Sequence, residues 1–558
     1  MTFKCPTADQ RFILAHVAGL TDLGVEQDVA DAVLEGAAAL AEGEFAPLNR
    51  PGDVQGVQWD NGRVVMPPGF KAAYQAFVDG GWMTLSAREE WGGQGLPLVL
   101  SAALMDGLNG ANLAFALCPM LSAGAIEALE RHGSDELKQR YLAKIVSGEW
   151  PATMNLTEPQ AGSDVGALAT RAEPANDSKW GDGSWRITGT KIFITFGEHD
   201  LADNIVHLVL ARSQGAPGGT KGISLFLVPK ILPDGSANDL RCVSIEHKAG
   251  IHASPTCVMS YGDSGGAIGW LVGDEMAGMR AMFTMMNNAR LNVALQGVGI
   301  AEAATQRAVA FALERRQGRR GVDVAIIADH PDVRRMLLRM RSLTTAARSL
   351  TYYAFACADR GRAGDREASL RCDVLTPLAK AWATEVGCEV ASLGVQVHGG
   401  MGYVEETGAA QHWRDARIAP IYEGTNGIQA ADLVTRKLDL DGGAAFDELL
   451  IDIRDSTSSP TLIALADALE VAATSYRQAP PDDRLAGSVP FLTMSAVLVA
   501  GWLLERQAAI VGDSEFLAAK RASAAYFLSV VVPEALGLAA AAELGAGPLY
   551  AVPAGALA

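Results

Sequence analysis

QVHGGMGYVEETGAAQHWRDARIAPIYEGTNGIQ, residues 396 to 429, combines a glycine-rich turn, a charged helical run and a carboxylate, Glu423, set between an apolar approach and a glycine. Gly-Thr-Asn-Gly follows Glu423 where a helix is about to begin, so the side chain and nearby backbone N–H groups can face a ligand. Glu423 is therefore a candidate general base beside a bound cofactor. In isolation a charged residue in a turn is solvated, and the reading depends on what the rest of the chain supplies.

A chain of 558 residues is too long for a single hydrophobic core, and about two to four domains are expected. The formal net charge of −18, with no long basic run to offset it, argues against nucleic acid as a partner and favours small molecules or proteins. The seven cysteines, at positions 5, 118, 242, 257, 357, 372 and 388, are odd in number, scattered and never in a C-x-x-C pair. They read as reduced thiols of a cytoplasmic protein, with neither a zinc site nor a disulfide framework. In MTFKCPTADQRFILAHVAGL the apolar patch is interrupted by Asp9 and His16 and no small-residue cleavage site follows, so no signal peptide is expected. Between Arg484 and Glu505 lie twenty uncharged residues, long enough to span a bilayer. Ser488, Thr493 and Ser495, with Pro490 in what would be the first turn, favour a helix buried in a bundle over membrane contact.

Residues 1–150 carry Ala and Leu at helical spacing and read as a helical domain, in which WGGQGLP (91–97) is a glycine-dense turn. From 151 to 275 the texture changes to short β-branched runs: SWRITGTKIFIT (184–195), NIVHLVLA (204–211), KGISLFLVP (221–229) and TCVMSY (256–261). Turns such as Gly181-Asp182-Gly183 and Pro217-Gly218-Gly219 separate them, and an antiparallel β-barrel or small sheet is expected. Helical periodicity returns over 276–437, a Gly/Asp-rich link covers 438–447, and an Ala-rich helical region fills 445–558. The fold class is α+β, mainly α, with a β-domain between helical ones.

There is no G-x-G-x-x-G after a strand, no P-loop and no H-E-x-x-H, so nicotinamide, phosphate-loop and zincin readings lack support. Gly262-Asp263-Ser264-Gly265-Gly266 matches G-x-S-x-G, yet a nucleophile elbow needs a helix after the serine, and AIGWLVGDE has strand and turn character. A Ser264 hydrolase is thus a remote alternative. The loop MNLTEPQAGSDVGA (154–167) brings hydroxyls and exposed backbone close together, where they can approach a flat ring. On the helix after 280, Asn287 and Arg290 are three apart on one face, with Arg315 and Arg316 further along. Arginine forks suit phosphate and carboxylate.

In combination these pieces resemble the acyl-CoA dehydrogenase family. The matching strings are MNLTEPQAGSD, TGTKIFIT, NNARLNVALQGVGIAEAATQRAVAFALERRQGR, QVHGGMGY, RDARI and IYEGTNGIQ, in the family's order across residues 80–435. Gln396 precedes Glu423 by 27 positions, a spacing the family shares. EHDLADNIVHLVLAR, KAGIHASPTCVMSY and the added C-terminal region look most like the longer subfamily labelled 3-methylmercaptopropionyl-CoA dehydrogenase or fatty acyl-CoA dehydrogenase.

The resemblance implies FAD and oxidation of an acyl-CoA thioester, from fatty acid β-oxidation or 3-methylthiopropanoyl-CoA, to its trans-2-enoyl form. Glu423 would remove the α proton as a hydride leaves Cβ for flavin N5, with charge on the thioester oxygen stabilised by a ribityl hydroxyl and the Glu423 backbone N–H. Met154, Thr157, Phe193 and Thr195 would line the flavin, and Thr425 would hold its phosphate side. Gln396 and Gly400 would meet the adenine half, while Arg315 and Gln317 would reach the pyrophosphate across the interface of a homodimer or dimer of dimers. Ser163, Asn287, Arg290 and Gly424 would contact the substrate, and an electron-transfer flavoprotein would take the electrons.

The chain departs from the common family pattern in having Phe193 for Trp, Asn287 for Asp and Gly427 for Gln. Some relatives carry the base near positions 288 and 289, but Asn288 and Ala289 cannot serve, which leaves Glu423. An acyl-CoA oxidase using oxygen, or a non-catalytic flavin- or acyl-CoA-binding relative, would share most of these residues.

Overall fold

The computed structural model describes residues 2–175, 179–181 and 183–558; of the turn read at Gly181-Asp182-Gly183, Asp182 lies outside them. Helices prevail up to Val146, interrupted by a small hairpin of Gln58–Asp60 and Arg63–Val65 that the helical spacing did not announce. The long helix α1 (Leu98–His132) starts after Pro97 and is buried on nearly every side. Its first N–H groups have no partner within the helix. Leu98 and Val99 donate theirs to the Asp359 carboxylate at 2.7 and 3.0 Å, a cap supplied by another helix.

Among the described residues eight strands follow: β1 (Ala152–Asn155), β2 (Arg171–Pro174), β3 (Ser184–Thr195), β4 (Val206–Ser213), β5 (Ile223–Pro229), β6 (Leu240–Ile245), β7 (Thr256–Tyr261) and β8 (Ala267–Leu271). β8 pairs with both β5 and β3, so the path β8-β5-β4-β2-β3 closes on itself; β7 and β6 extend from β3, and β1 runs parallel to β4. Ile187, Ile194, Val209 and Phe226 fill its interior. The expected strands at 184–195 and 256–261 fall on β3 and β7. β1, β2 and β6 were not among the runs read as strands, because short stretches such as RAEP carry too little alternation to register, whereas AIGWL, read with strand and turn character, falls on β8.

The β3–β7 ladder shifts register between Lys191 and Ile194, a bulge where one strand carries an extra residue. Phe193 sits in that bulge at φ 59°.

The second half is a stack of long helices: α2 (Gly278–Glu314), α3 (Pro331–Arg362) and α4 (Arg366–His398). A Cβ on Gly297 of α2 would stand 2.1 Å from the Ala383 carbonyl oxygen of α4, so glycine lets the two helices cross at near backbone contact. Helical periodicity does not run unbroken to 437. α2 stops at Glu314, Arg315 caps it, and Arg316 opens a hairpin of β9 (Arg316–Arg320) and β10 (Asp323–Ile326). Gly318 and Gly321, at φ 71° and 67°, supply backbone that a helix cannot use.

Short helices after α4 lead to α5 (Asn426–Asp432), then the C-terminal region containing α6 (Ser488–Ala508) and α7 (Glu515–Tyr526). Among the described residues three helical stretches are long and apolar enough to cross a membrane by length and composition. In the α1 and α6 stretches 89% and 78% of the apolar window is buried in the fold, whereas in Glu515–Ala542 it is 28%. α6 is thus the buried bundle helix expected at 485–504.

The C-terminal region is joined to the rest through a buried charge cluster. Arg348 of α3 is fully buried and donates to Asp106 at 2.7 Å, Asp9 at 2.8 Å and Glu302 at 3.1 Å. Lys520 of α7 also pairs with Asp9, and Arg341 bonds Glu302 at 2.9 Å.

Candidate active site

Glu423 lies on the short segment entering α5, and it is one of seven non-glycine residues with positive φ (56°) among those described. Gly424 follows at φ 83°, so two successive left-handed residues turn the chain sharply. That φ restricts position 424 to glycine, and a Cβ there would also press on Gln429 Nε2 at 2.8 Å. Holding Glu423 in the left-handed region costs about 1–3 kcal/mol, and such strain persists only where the surroundings over-determine it.

The surroundings do so from three sides. Lys380 of α4 donates to the Gly424 carbonyl at 2.8 Å and to Asn426 Oδ1 at 3.0 Å. Asn426 Nδ2 donates to Ala381 O at 3.1 Å and to Glu385 Oε1 at 2.7 Å, fixing the start of α5 against α4. Thr425 Oγ1 caps α5 by accepting from Ile428 N at 3.1 Å. On the other flank the Tyr422 hydroxyl donates to Gln296 of α2.

The Glu423 side chain is half-buried, and loss of solvent lifts its carboxyl above the ordinary glutamate range. Arg290 and Lys380 pull in the opposite direction. Arg290 is 5% exposed, lies 3.6 Å from Asp432, and its Nε has no hydrogen-bond partner. It therefore does not share a solvated face with Asn287, which is exposed. Burial drives Lys380 down to about 7, with Glu423 resisting the shift. A carboxylate raised above its ordinary range, with two buried basic side chains beside it, can take up a proton from a bound molecule.

A second group belongs to the barrel. Met154 is buried on β1; Thr157 is half-buried and its carbonyl accepts from Ile192 N at 2.9 Å. Phe193 is 57% exposed, its ring held out of the barrel by the bulge. Thr195 ends β3, and its carbonyl accepts from Thr153 Oγ1 at 2.6 Å. Ser163 is exposed on the loop between β1 and β2, which is pinned by Glu158. The Glu158 carboxylate accepts from Lys191 at 2.7 Å and from the N–H groups of Ala169 and Thr170 at 2.6 and 3.1 Å. Although burial opposes ionisation, Lys191 and those donors hold Glu158 down at about 2.

A third group lies at the far end of α2 and α4. Arg315, Gln317, Gln396 and Gly400 are all exposed, and the Phe311 and His398 rings stack between the two helix ends at 4.4 Å. His330 donates to the Gln317 carbonyl at 2.7 Å, and Ile327 N donates to the Arg315 carbonyl at 2.8 Å. Ser264 stands in an exposed turn joining β7 to β8, with no helix after it, so it has no nucleophile elbow. No cluster of three or more potential metal ligands occurs among the described residues.

Lys380, Asn426, Gln296 and Tyr422 were not picked out as site residues by reading the sequence. The signal for Lys380 was available: it is the one charge in LTPLAKAWAT, where an apolar helix face makes an unpartnered ammonium costly.

Family models match the chain in order: acyl-CoA dehydrogenase N-terminal domain over 29–149, middle domain over 153–264 and C-terminal domain over 276–438. A fourth, acetyl-CoA dehydrogenase C-terminal like, matches 459–553. The chain is 45% identical to 3-methylmercaptopropionyl-CoA dehydrogenase of Ruegeria pomeroyi, over 96% of its own length and 97% of the relative's. This chain belongs to the acyl-CoA dehydrogenase family. The acyl-CoA dehydrogenases are oxidoreductases, and a broad-specificity linear member from Mycobacterium tuberculosis is 33% identical over 95% of this chain and 96% of its own. Among solved structures, Caenorhabditis elegans ACDH-11 in complex with C11-CoA has the same fold, with a TM-score of 0.78 at 20% identity over 95% of this chain and 92% of that one. The acyl-CoA dehydrogenase middle-domain match contains Met154, Thr157, Phe193 and Thr195, and the C-terminal-domain match contains the Glu423 turn.

Proposed function

We propose that the protein is an FAD-dependent acyl-CoA dehydrogenase that converts an acyl-CoA thioester to its trans-2-enoyl-CoA, with Glu423 as the base. The observation that carries this reading is the Glu423 carboxyl, raised by burial and set in a strained left-handed turn between Arg290 and Lys380.

The residues present fit FAD. Phe193 offers an exposed ring on a strained bulge, Met401 and Tyr403 are 51% and 84% exposed, and nothing lies within 4 Å of where a Cβ on Gly399 or Gly400 would point. Apolar surface and close backbone approach are what a flat, phosphate-bearing cofactor needs. Met154, Thr157, Phe193, Thr195 and Thr425 would hold one part of it, and Gln396, Gly400, Arg315 and Gln317 another. When bound, FAD supplies the acceptor for the two electrons and the hydrogen leaving Cβ.

The protein's own task is proton removal. An acyl α-CH is a very weak acid, so Glu423 must be ionised, oriented and dry when substrate covers it. Arg290 and Lys380 keep the ionised form accessible in spite of burial, and the Glu423 backbone N–H would donate to the thioester oxygen as charge collects there. Ser163, Asn287, Arg290 and Gly424 would meet the CoA ester.

The relative from R. pomeroyi makes 3-methylthiopropanoyl-CoA the first substrate to test, with short to long fatty acyl-CoAs beside it. The exposed Arg315 and Gln317 support a homodimer that completes each flavin site, electron-transfer flavoprotein is the proposed acceptor, and the free cysteines support a cytoplasmic setting. Purified protein should be yellow and should bleach anaerobically with an acyl-CoA. Bleaching of a Glu423→Gln variant at the normal rate, or colourless protein that takes up no FAD, would overturn the reading.

A further inference from the structure

Lys380 is fully buried, and among the described residues no carboxylate oxygen lies within ion-pair distance of it. A buried ammonium without a partner is expensive, so a lysine in this position is either neutralised or answered by a charge close by. Its two hydrogen bonds go to the Gly424 carbonyl and to Asn426 Oδ1, both of which an amine and an ammonium satisfy alike. The choice between the two forms is therefore left to the surrounding charges.

Those charges sit on the turn, α2, α4 and α5. Glu423 faces it from the turn and favours the cation; Arg290 of α2 opposes it; Glu385, one turn along α4, favours it more weakly. Asp432 of α5 stands behind Arg290, and Tyr422 remains neutral beside the turn. The strongest attraction is thus to the carboxyl that the proposed reaction protonates.

Resting on the reading of Glu423 as the base, we propose that Lys380 is its positioning residue. Lys380 locks the left-handed Glu423-Gly424 turn through the Gly424 carbonyl and Asn426, and it serves as the buried counter-charge of the ionised carboxylate. The two groups then titrate as a pair: when Glu423 takes a proton, Lys380 loses the charge that justified its own. Lowered by burial to about 7, Lys380 is able to follow that change near neutral pH.

The test compares Lys380→Met, which removes both bonds and charge, with Lys380→Gln, which keeps a donor for the Gly424 carbonyl but no charge, in FAD-loaded enzyme. Flavin reduction by acyl-CoA in Lys380→Met should slow by roughly tenfold or more at neutral pH while KM moves little. In both variants the acid limb of kcat/KM should move to higher pH by about one unit. Lys380→Gln should keep more of its rate at high pH than Lys380→Met, because the turn is still held. An acid limb that stays in place in a folded, flavin-loaded variant overturns the proposal and leaves Lys380 a packing residue. If Lys380→Met fails to fold, Lys380→Gln alone decides through the same limb. Glu423→Gln is run alongside: if it bleaches normally the base assignment falls, whereas an inactive Glu423→Gln with an unmoved limb in the Lys380 variants removes only the role of Lys380.

Discussion

Arg290 reaches the Asp432 carboxylate at 3.6 Å, and both side chains are more than nine-tenths buried. The same guanidinium lowers the pKa of Glu423, so one arginine joins a structural carboxylate to the proposed catalytic one. Replacing Arg290 by Met leaves Asp432 paired with Arg436 alone and should cost about 1–3 kcal/mol of stability. It should also raise Glu423 further above the ordinary range. Activity then falls more at pH 6 than at pH 8, and a pH–rate profile of kcat/KM checks the direction.

Glu158 and Lys191 form a buried pair behind the loop that carries Thr157 and Ser163, with side chains 3% and 0% exposed. An unfolded glutamate titrates near about 4.3, whereas folded Glu158 is held down at about 2. Its contribution to stability is therefore complete above the unfolded value and is lost as pH falls from there towards 2. Glu158→Gln should destabilise the protein by roughly 3–5 kcal/mol at neutral pH by stranding Lys191. The gap from wild type should narrow below pH ~4, as urea midpoints measured across that range would show.

Phe193 holds a strained conformation while more than half exposed, so its ring does little for the barrel interior. Phe193→Ala should change the stability of the flavin-free protein by less than about 0.5 kcal/mol. FAD content after purification should drop all the same. A variant that retains full flavin and a normal spectrum would remove Phe193 from the cofactor wall.

Asp359 caps α1 from another helix and is raised to about 6, burial outweighing its two N–H donors. Asp359→Asn keeps an acceptor oxygen and avoids the buried charge, whereas Asp359→Ala orphans both N–H groups. Asp359→Ala should cost about 1–3 kcal/mol and Asp359→Asn clearly less, as read by thermal or denaturant unfolding.

Ser264→Ala should leave flavin reduction unchanged and abolish no thioester cleavage, since the serine lies in a solvated turn between strands. A loss of hydrolysis in this variant would reopen the hydrolase reading.

The parts of the fold legible in the sequence are those in which local pattern and tertiary role agree. β3 and β7 alternate and end at turns, α6 is uncharged over its middle, and the Glu423 turn carries its glycines. The short strand β2 was not legible, because RAEP owes its conformation to pairing with β3 and β4 rather than to its own residues. The hairpin at Arg316–Ile326 was masked by the helical run before it, and only Gly318 and Gly321 mark the break. At the site, motif residues could be placed on the chain, but Lys380 and Gln296 meet the 422–426 segment from helices separated from it in sequence. No spacing within one segment records such a meeting.

The cluster around Arg348 has a bearing on how members of this family can be recombined. Three carboxylates, Asp9, Asp106 and Glu302, face three cations, Arg341, Arg348 and Lys520, and they come from both ends of the chain and its middle. A chimera that takes residues 445–558 from a relative imports whatever stands at position 520 against an acid fixed at position 9. Where that residue is not a cation, Asp9 keeps Arg348 as its cationic partner and loses the second one. The C-terminal region is for that reason a poor unit of exchange unless its counterpart near the N-terminus travels with it.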